Sequence, residues 1–199
     1  LKKKYNPEIH HRKSIRLKGY DYSQDGFYFI TLNCWNRNHY FGEIQNGVMF
    51  LNDLGKIAHE EWKNTPKIRP YVILHEFVIM PDHLHGIIEL RGIQLNSREG
   101  RMPLKSREGR MLFAPTIELI DSSKNITSSN TNFKSPSHTI GAIIRGYKSA
   151  VTKQSKSHIK EFPLWQRDYH ERIIRNKTAF CTISRYIRNN PQNWEVNIE

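Results

Sequence analysis

The stretch from Tyr71 to Leu90, YVILHEFVIMPDHLHGIIEL, decides how the rest of the chain is read. Its first half, Tyr71–Met80, ends on the nearly continuous apolar run Phe77-Val78-Ile79-Met80 and predicts a strand. Pro81-Asp82 is turn chemistry, because proline presets φ and an aspartate side chain can bond the turn backbone. His83–Leu90 predicts a second strand that closes a hairpin with the first. Upstream, the aromatic and β-branched run Phe27–Cys34 predicts another strand. Between them, Asn52-Asp53 precedes Leu54, Ile57, Ala58 and Trp62, a helical stripe with an acidic start that Pro66 is expected to stop. Downstream, Ile140, Ile143, Ile144, Tyr147 and Val151 keep helical spacing. Leu164–Ile174 then predicts a fourth strand, and Asn176 an N-cap for a last helix through Phe180, Ile183, Tyr186 and Ile187, closed by Pro191. The order β-α-β-β-α-β plus a helix is the split βαβ, ferredoxin-like arrangement. It predicts an α+β fold with one antiparallel sheet and two helices on one face. The other face is left for a ligand or the extra helix. Order alone assigns no function.

The chain has 199 residues, with 31 Lys+Arg against 19 Asp+Glu and a net charge of +12. Its mean hydropathy is −0.68 and its isoelectric point about 9.8. That balance favours a polyanionic partner. No apolar run approaches the length of a membrane span and no secretory signal is visible. The two cysteines, Cys34 and Cys181, make neither a disulfide framework nor a Cys-cluster zinc site. A cytoplasmic protein without membrane contact is expected. Residues 1–22 read as a basic arm, carrying Arg12, Lys13 and Arg16. Residues 23–194 read as one domain, interrupted by a polar insertion at 91–138, and 195–199 as a tail. Inside the insertion Ser97–Met102 recurs as Ser106–Met111, a local duplication with little to bury.

His83-Leu84-His85 carries the sharpest chemistry. Alternate strand residues share a face, so both imidazoles project side by side, about 7 Å apart by the usual rise. Such a pair can converge on one divalent cation, or be two exposed sheet histidines without a role. On the last helix Tyr186 and Asn190 stand four apart and share a face. An amide oxygen is a hard donor suited to Mg²⁺ or Mn²⁺, and a phenol is an oxygen nucleophile. Tyr147 is a rival phenol, although it sits on the apolar stripe of its helix. Arg145, Lys148, Arg167, Arg172 and Arg185 interleave with Trp165, Tyr169 and Tyr186, as single-stranded nucleic acid binding requires. No P-loop, G-x-G-x-x-G or G-x-S-x-G occurs, so a nucleotide cofactor and a triad hydrolase have no support.

Ile79-Met80-Pro81-Asp82-His83-Leu84-His85-Gly86 resembles the His-hydrophobe-His (HUH) signature of single-tyrosine transposases, and VIMPDHLHGII in particular resembles the REP-associated tyrosine transposases. Gly146–Ser149, Trp165–Glu171 and Tyr186–Pro191 are similar to that family in the same order. The likeness covers roughly residues 14–91 and 139–194. It implies His83, His85 and Asn190 as metal ligands, Asn190 standing where related enzymes have Gln, and Tyr186 as nucleophile. It implies the ferredoxin-like fold as well. The implied activity is cleavage and rejoining of single-stranded DNA beside a hairpin, through a covalent 5′-phosphotyrosine and with Mg²⁺ or Mn²⁺. Related enzymes include dimers and monomers, so a homodimer is one of the two states implied. The competing readings are a non-catalytic single-stranded DNA or RNA-binding module, a metal-dependent nuclease that activates water, and a transposase whose nucleophile is Tyr147.

Overall fold

A computed structural model of the protein describes residues 20–92, 138–159 and 163–194. The arm with Arg12, Lys13 and Arg16, nearly all of the 91–138 insertion and the 195–199 tail lie outside the described residues. Among the described residues six strands and three α-helices follow in order. They are β1 Gly26–Asn33, β2 Gly42–Gln45, β3 Val48–Leu51, α1 Asp53–Ile68, β4 Val72–Ile79, β5 His83–Leu90, α2 Ile140–Gln154, β6 His170–Ile174 and α3 Lys177–Asn189. The main sheet has four strands in the order β4-β5-β1-β6, every neighbour antiparallel. The expected hairpin is β4–β5, and its second strand occupies the middle of the sheet beside β1.

The pleat of β5 sorts its residues between two layers. Leu84, Ile88 and Leu90 join the larger core with Tyr28, Ile30 and Leu32 of β1, Trp62 of α1, and Ile143, Ile144 and Tyr147 of α2. His83, His85, Ile87 and Glu89 alternate with them and face the other way. There Ile87 packs with Phe27, Ile174, and Ile183 and Ile187 of α3. Thus α1 and α2 cover one face and α3 part of the other, and all eight β5 residues are buried. Gly86 is required by this close layer. A Cβ there would stand 2.7 Å from the Trp62 ring and 3.2 Å from Phe77 Cβ.

Helix starts follow the capping residues in the sequence. Asn52, Thr139 and Asn176 each accept a backbone N–H three residues on, from Gly55, Ala142 and Ala179. The structure departs from the sequence expectations at three places. Pro66 does not stop α1, which runs to Ile68; a proline in the final turn forfeits one backbone bond without ending the helix. The fourth strand begins at His170 instead of Leu164, and upstream of it Trp165 makes only an isolated bridge to Cys34. The β2–β3 hairpin is an addition to the expected elements. Its signal is the pair Asn46-Gly47, whose φ values of 51° and 74° are those of the tight turn that suits twisted hairpins.

Candidate active site

β5 delivers His83 and His85 to the face beneath α3, with ring centroids 4.5 Å apart. The register sets Thr31 of β1 opposite His85 and Asn33 opposite His83. Thr31 Oγ1 lies 2.8 Å from His85 Nδ1. Asp82 Oδ1 lies 2.5 Å from His83 Nδ1. When each Nδ1–H donates to its oxygen, both Nε2 atoms are left as acceptors, the usual arrangement of metal-ligating histidines. Burial, with the neighbouring His83 and Arg37 charges adding to it, holds the His85 pKa down to about 3, against a smaller opposing pull from Asp82. His85 is therefore a neutral imidazole at ordinary pH, as ligation requires.

α3 brings the other two groups. The Tyr186 hydroxyl lies 3.1 Å from His85 Nε2, and the residue is 47% exposed. Phe29 supports both rings, 5.3 Å from His85 and edge-on to Tyr186 at 6.2 Å. Asn190, one turn further, is buried at the end of α3. Thr31, Arg37, His83, His85, Tyr186, Asn190, Asn193 and Trp194 line one cleft of about 360 Å³. Two imidazoles and one side-chain amide lining the same cleft are a donor set that suits a divalent cation. Among the described residues no group of three His, Cys, Asp or Glu side chains offers an alternative metal site.

Tyr147 is placed elsewhere. It is buried in the larger core, with its hydroxyl donating to the Ala58 carbonyl at 3.0 Å, and burial raises its pKa well above the ordinary phenol value. The structure does not bring it to the histidines.

The basic residues divide into two groups. Arg145, Lys148 and Arg167 line a cavity of about 670 Å³ with Tyr20, Tyr22 and Tyr169. Lys148 is already committed there: its ammonium donates to the carbonyls of Gln166 at 2.8 Å and Asp168 at 3.1 Å, and burial lowers its pKa to about 8. Arg172 on β6 pairs with Phe29 in the sheet, and Arg185 lies on α3 beside Tyr186; both are exposed.

Thr31, Arg37, Asn193 and Trp194 of the cleft lining, and Asp82 behind His83, are not among the site residues singled out from the sequence. Asp82 reads there only as a turn residue, although a carboxylate next to a histidine is a signal. Thr31 is 54 positions from His85, and only the strand register unites them. Arg37 follows β1 in a tight turn, Trp35–Arg37, and nothing in the sequence marks it.

Such a constellation on an antiparallel sheet defines an α+β protein with a composite histidine–tyrosine cleft. No protein-family model matches the chain. It is 43% identical over 192 residues to a Haemophilus influenzae protein described as uncharacterized, covering 96% of this chain and 94% of that one, and it belongs to the same family. Among solved structures, that of a REP-associated tyrosine transposase bound to a REP hairpin is similar, with a TM-score of 0.52 and 18% identity, over 91% of this chain and 76% of that one. That likeness is one of fold.

Proposed function

We propose that this protein is a transposase-like enzyme of ferredoxin-like fold that cuts and rejoins single-stranded DNA beside a hairpin, with Tyr186 as nucleophile. The observation that carries the reading is the Tyr186 hydroxyl 3.1 Å from Nε2 of His85, in a cleft shared with His83 and Asn190. The solved transposase of similar fold is bound to a REP hairpin, which supports a DNA hairpin as the substrate class here.

In this reading Tyr186 Oη forms a bond to phosphorus and the bond from phosphorus to the 3′ oxygen of the preceding nucleotide breaks. The phenolic proton passes to solvent. The departing oxygen keeps the electron pair and takes up a proton, leaving a free 3′-hydroxyl and a 5′-phosphotyrosine. A 3′-hydroxyl reverses the step and joins strands, so no nucleoside triphosphate is consumed. A Mg²⁺ or Mn²⁺ ion held by His83, His85 and Asn190 would supply Lewis-acid polarisation of the phosphate. Thr31 and Asp82 orient the two imidazoles for that task. The half-exposed phenol leaves the attacking oxygen accessible to an unpaired strand, whose phosphates the exposed Arg172 and Arg185 would contact. Arg145 and Arg167, on the opposite layer, would hold the hairpin backbone.

The test is incubation with Mn²⁺ and a library of labelled single-stranded hairpins, followed by denaturing gels and mapping of the modified peptide. A covalent adduct on Tyr186 is expected. Cleavage without any adduct indicates water as the nucleophile, and binding without cleavage indicates a recognition module; either result overturns the reading.

A further inference from the structure

Arg37 is fixed at the cleft from both sides of His83. Its Nε donates to Asp82 Oδ2 at 2.7 Å, and Asp82 directly precedes His83. Its Nη1 donates to Asn33 Oδ1 at 2.6 Å, and Asn33 is the cross-strand partner of His83. A guanidinium carries five N–H donors. Among the described residues the remaining hydrogens make no further bond, and the side chain is 51% exposed while lining the cleft with Tyr186. The backbone is held unusually to place it. Asn36 and Arg37 have φ values of 51° and 59°, a left-handed conformation that two consecutive non-glycine residues adopt only at a cost of about 1–3 kcal/mol each. An arginine needed merely to neutralise Asp82 would not require so constrained a seat at the mouth of the cleft.

We propose that Arg37 is a further catalytic residue, whose free guanidinium edge takes a non-bridging oxygen of the phosphate attacked by Tyr186. The inference rests on the reading above and adds a group to it. Phosphoryl transfer gathers negative charge on the non-bridging oxygens, and a pre-positioned cation is most effective where that charge develops. His83 and His85 are neutral when they ligate, so they bring donors without charge. Arg37 brings a permanent positive charge to the same cleft. Asp82 and Asn33 restrain its position, so little side-chain freedom remains to be lost when the phosphate arrives.

The test compares adduct formation by the unchanged protein and by Arg37→Ala on saturating hairpin DNA, with either an ordinary phosphodiester or a neutral methylphosphonate at the cleaved position. On the phosphodiester the variant should be slower by about 10²–10³-fold, as for loss of one charge-stabilising donor. On the methylphosphonate the gap should close to within about fivefold, because the charge that Arg37 answers is gone. Mn²⁺ affinity, measured by titration calorimetry without DNA, should stay within about threefold. Arg37→Gln keeps a donor for Asp82 without the charge and gives the same pattern should Arg37→Ala fail to fold. A variant rate within about threefold of the unchanged protein overturns the inference, as does an equal loss on both DNAs or a loss that follows Mn²⁺ affinity. Failure of the underlying reading looks different: the unchanged protein then forms no Tyr186 adduct on the phosphodiester, which overturns both.

Discussion

The Tyr186 hydroxyl is within hydrogen-bond distance of His85 Nε2, 3.1 Å away, although 101 positions separate the two residues. This is the nitrogen that a divalent cation would use. One lone pair cannot serve both, so ion binding and the phenol's hydrogen bond compete. Loss of that bond leaves the hydroxyl available to a phosphate.

Tyr186→Phe should therefore abolish covalent DNA adducts while leaving hairpin affinity within about threefold. Its Mn²⁺ affinity should be equal to or up to about tenfold higher than that of the unchanged protein, the worth of one hydrogen bond removed from competition. Tyr147→Phe, which loses a bond to the Ala58 carbonyl, should cost about 1 kcal/mol of stability and keep adduct formation. Gel assays with both variants, beside calorimetric titration, separate these roles. An adduct that survives in Tyr186→Phe and vanishes in Tyr147→Phe would reverse the assignment.

Thr31→Val keeps the shape of the side chain and removes the oxygen that faces His85 Nδ1. Mn²⁺ affinity should fall by about 10–100-fold, the usual effect of losing a partner behind a metal ligand. Calorimetric titration measures it, and an unchanged affinity would mean that packing against Phe29 alone orients the ring.

The depressed pKa of His85, about 3, sets a pH dependence in the metal-free protein. An unfolded histidine titrates near 6.5, so between roughly 6.5 and 3 the unfolded chain binds a proton that the folded one refuses. Stability should be unaffected by this group above about 6.5 and should decline as pH falls towards 3. Thermal melts at pH 7, 5.5 and 4 test this, with His85→Asn as control. The variant should show the shallower decline, and equal slopes would remove His85 as its source.

Gly86→Ala inserts a methyl group against Trp62 and Phe77. Overpacking here should cost about 1–3 kcal/mol and lower the melting temperature. Because Gly86 adjoins His85, the same variant should weaken Mn²⁺ binding. A melt unchanged from the parent would show that Trp62 can shift freely.

Charge reversal at Arg145 and Arg167 together should weaken hairpin binding by at least about tenfold. It should also flatten the salt dependence by roughly one unit of slope for each phosphate that is no longer neutralised. Adduct formation at saturating DNA should be little changed, since both residues lie on the layer opposite Tyr186. A slower rate at saturation, with affinity intact, would assign this cavity to chemistry instead of grip.

Alternation and capping made most of the framework legible in the sequence. His83 and His85 had to share a face because strand period is two, and Tyr186 and Asn190 had to share one because four residues make about a helical turn. Asn52, Thr139 and Asn176 mark helix starts through local hydrogen bonds that need no tertiary partner. Tertiary structure alone decided which phenol meets the histidines. Both lie on amphipathic helices, but α2 packs on the Leu84 face of β5 and α3 on the His85 face, so Tyr147 is buried and Tyr186 reaches the cleft. It alone also decided that Thr31 stands behind His85, that Asn33 lies opposite His83 and that Arg37 lines the cleft. Strand register joins residues about fifty positions apart, and no local spacing encodes a pairing between strands so distant in the chain.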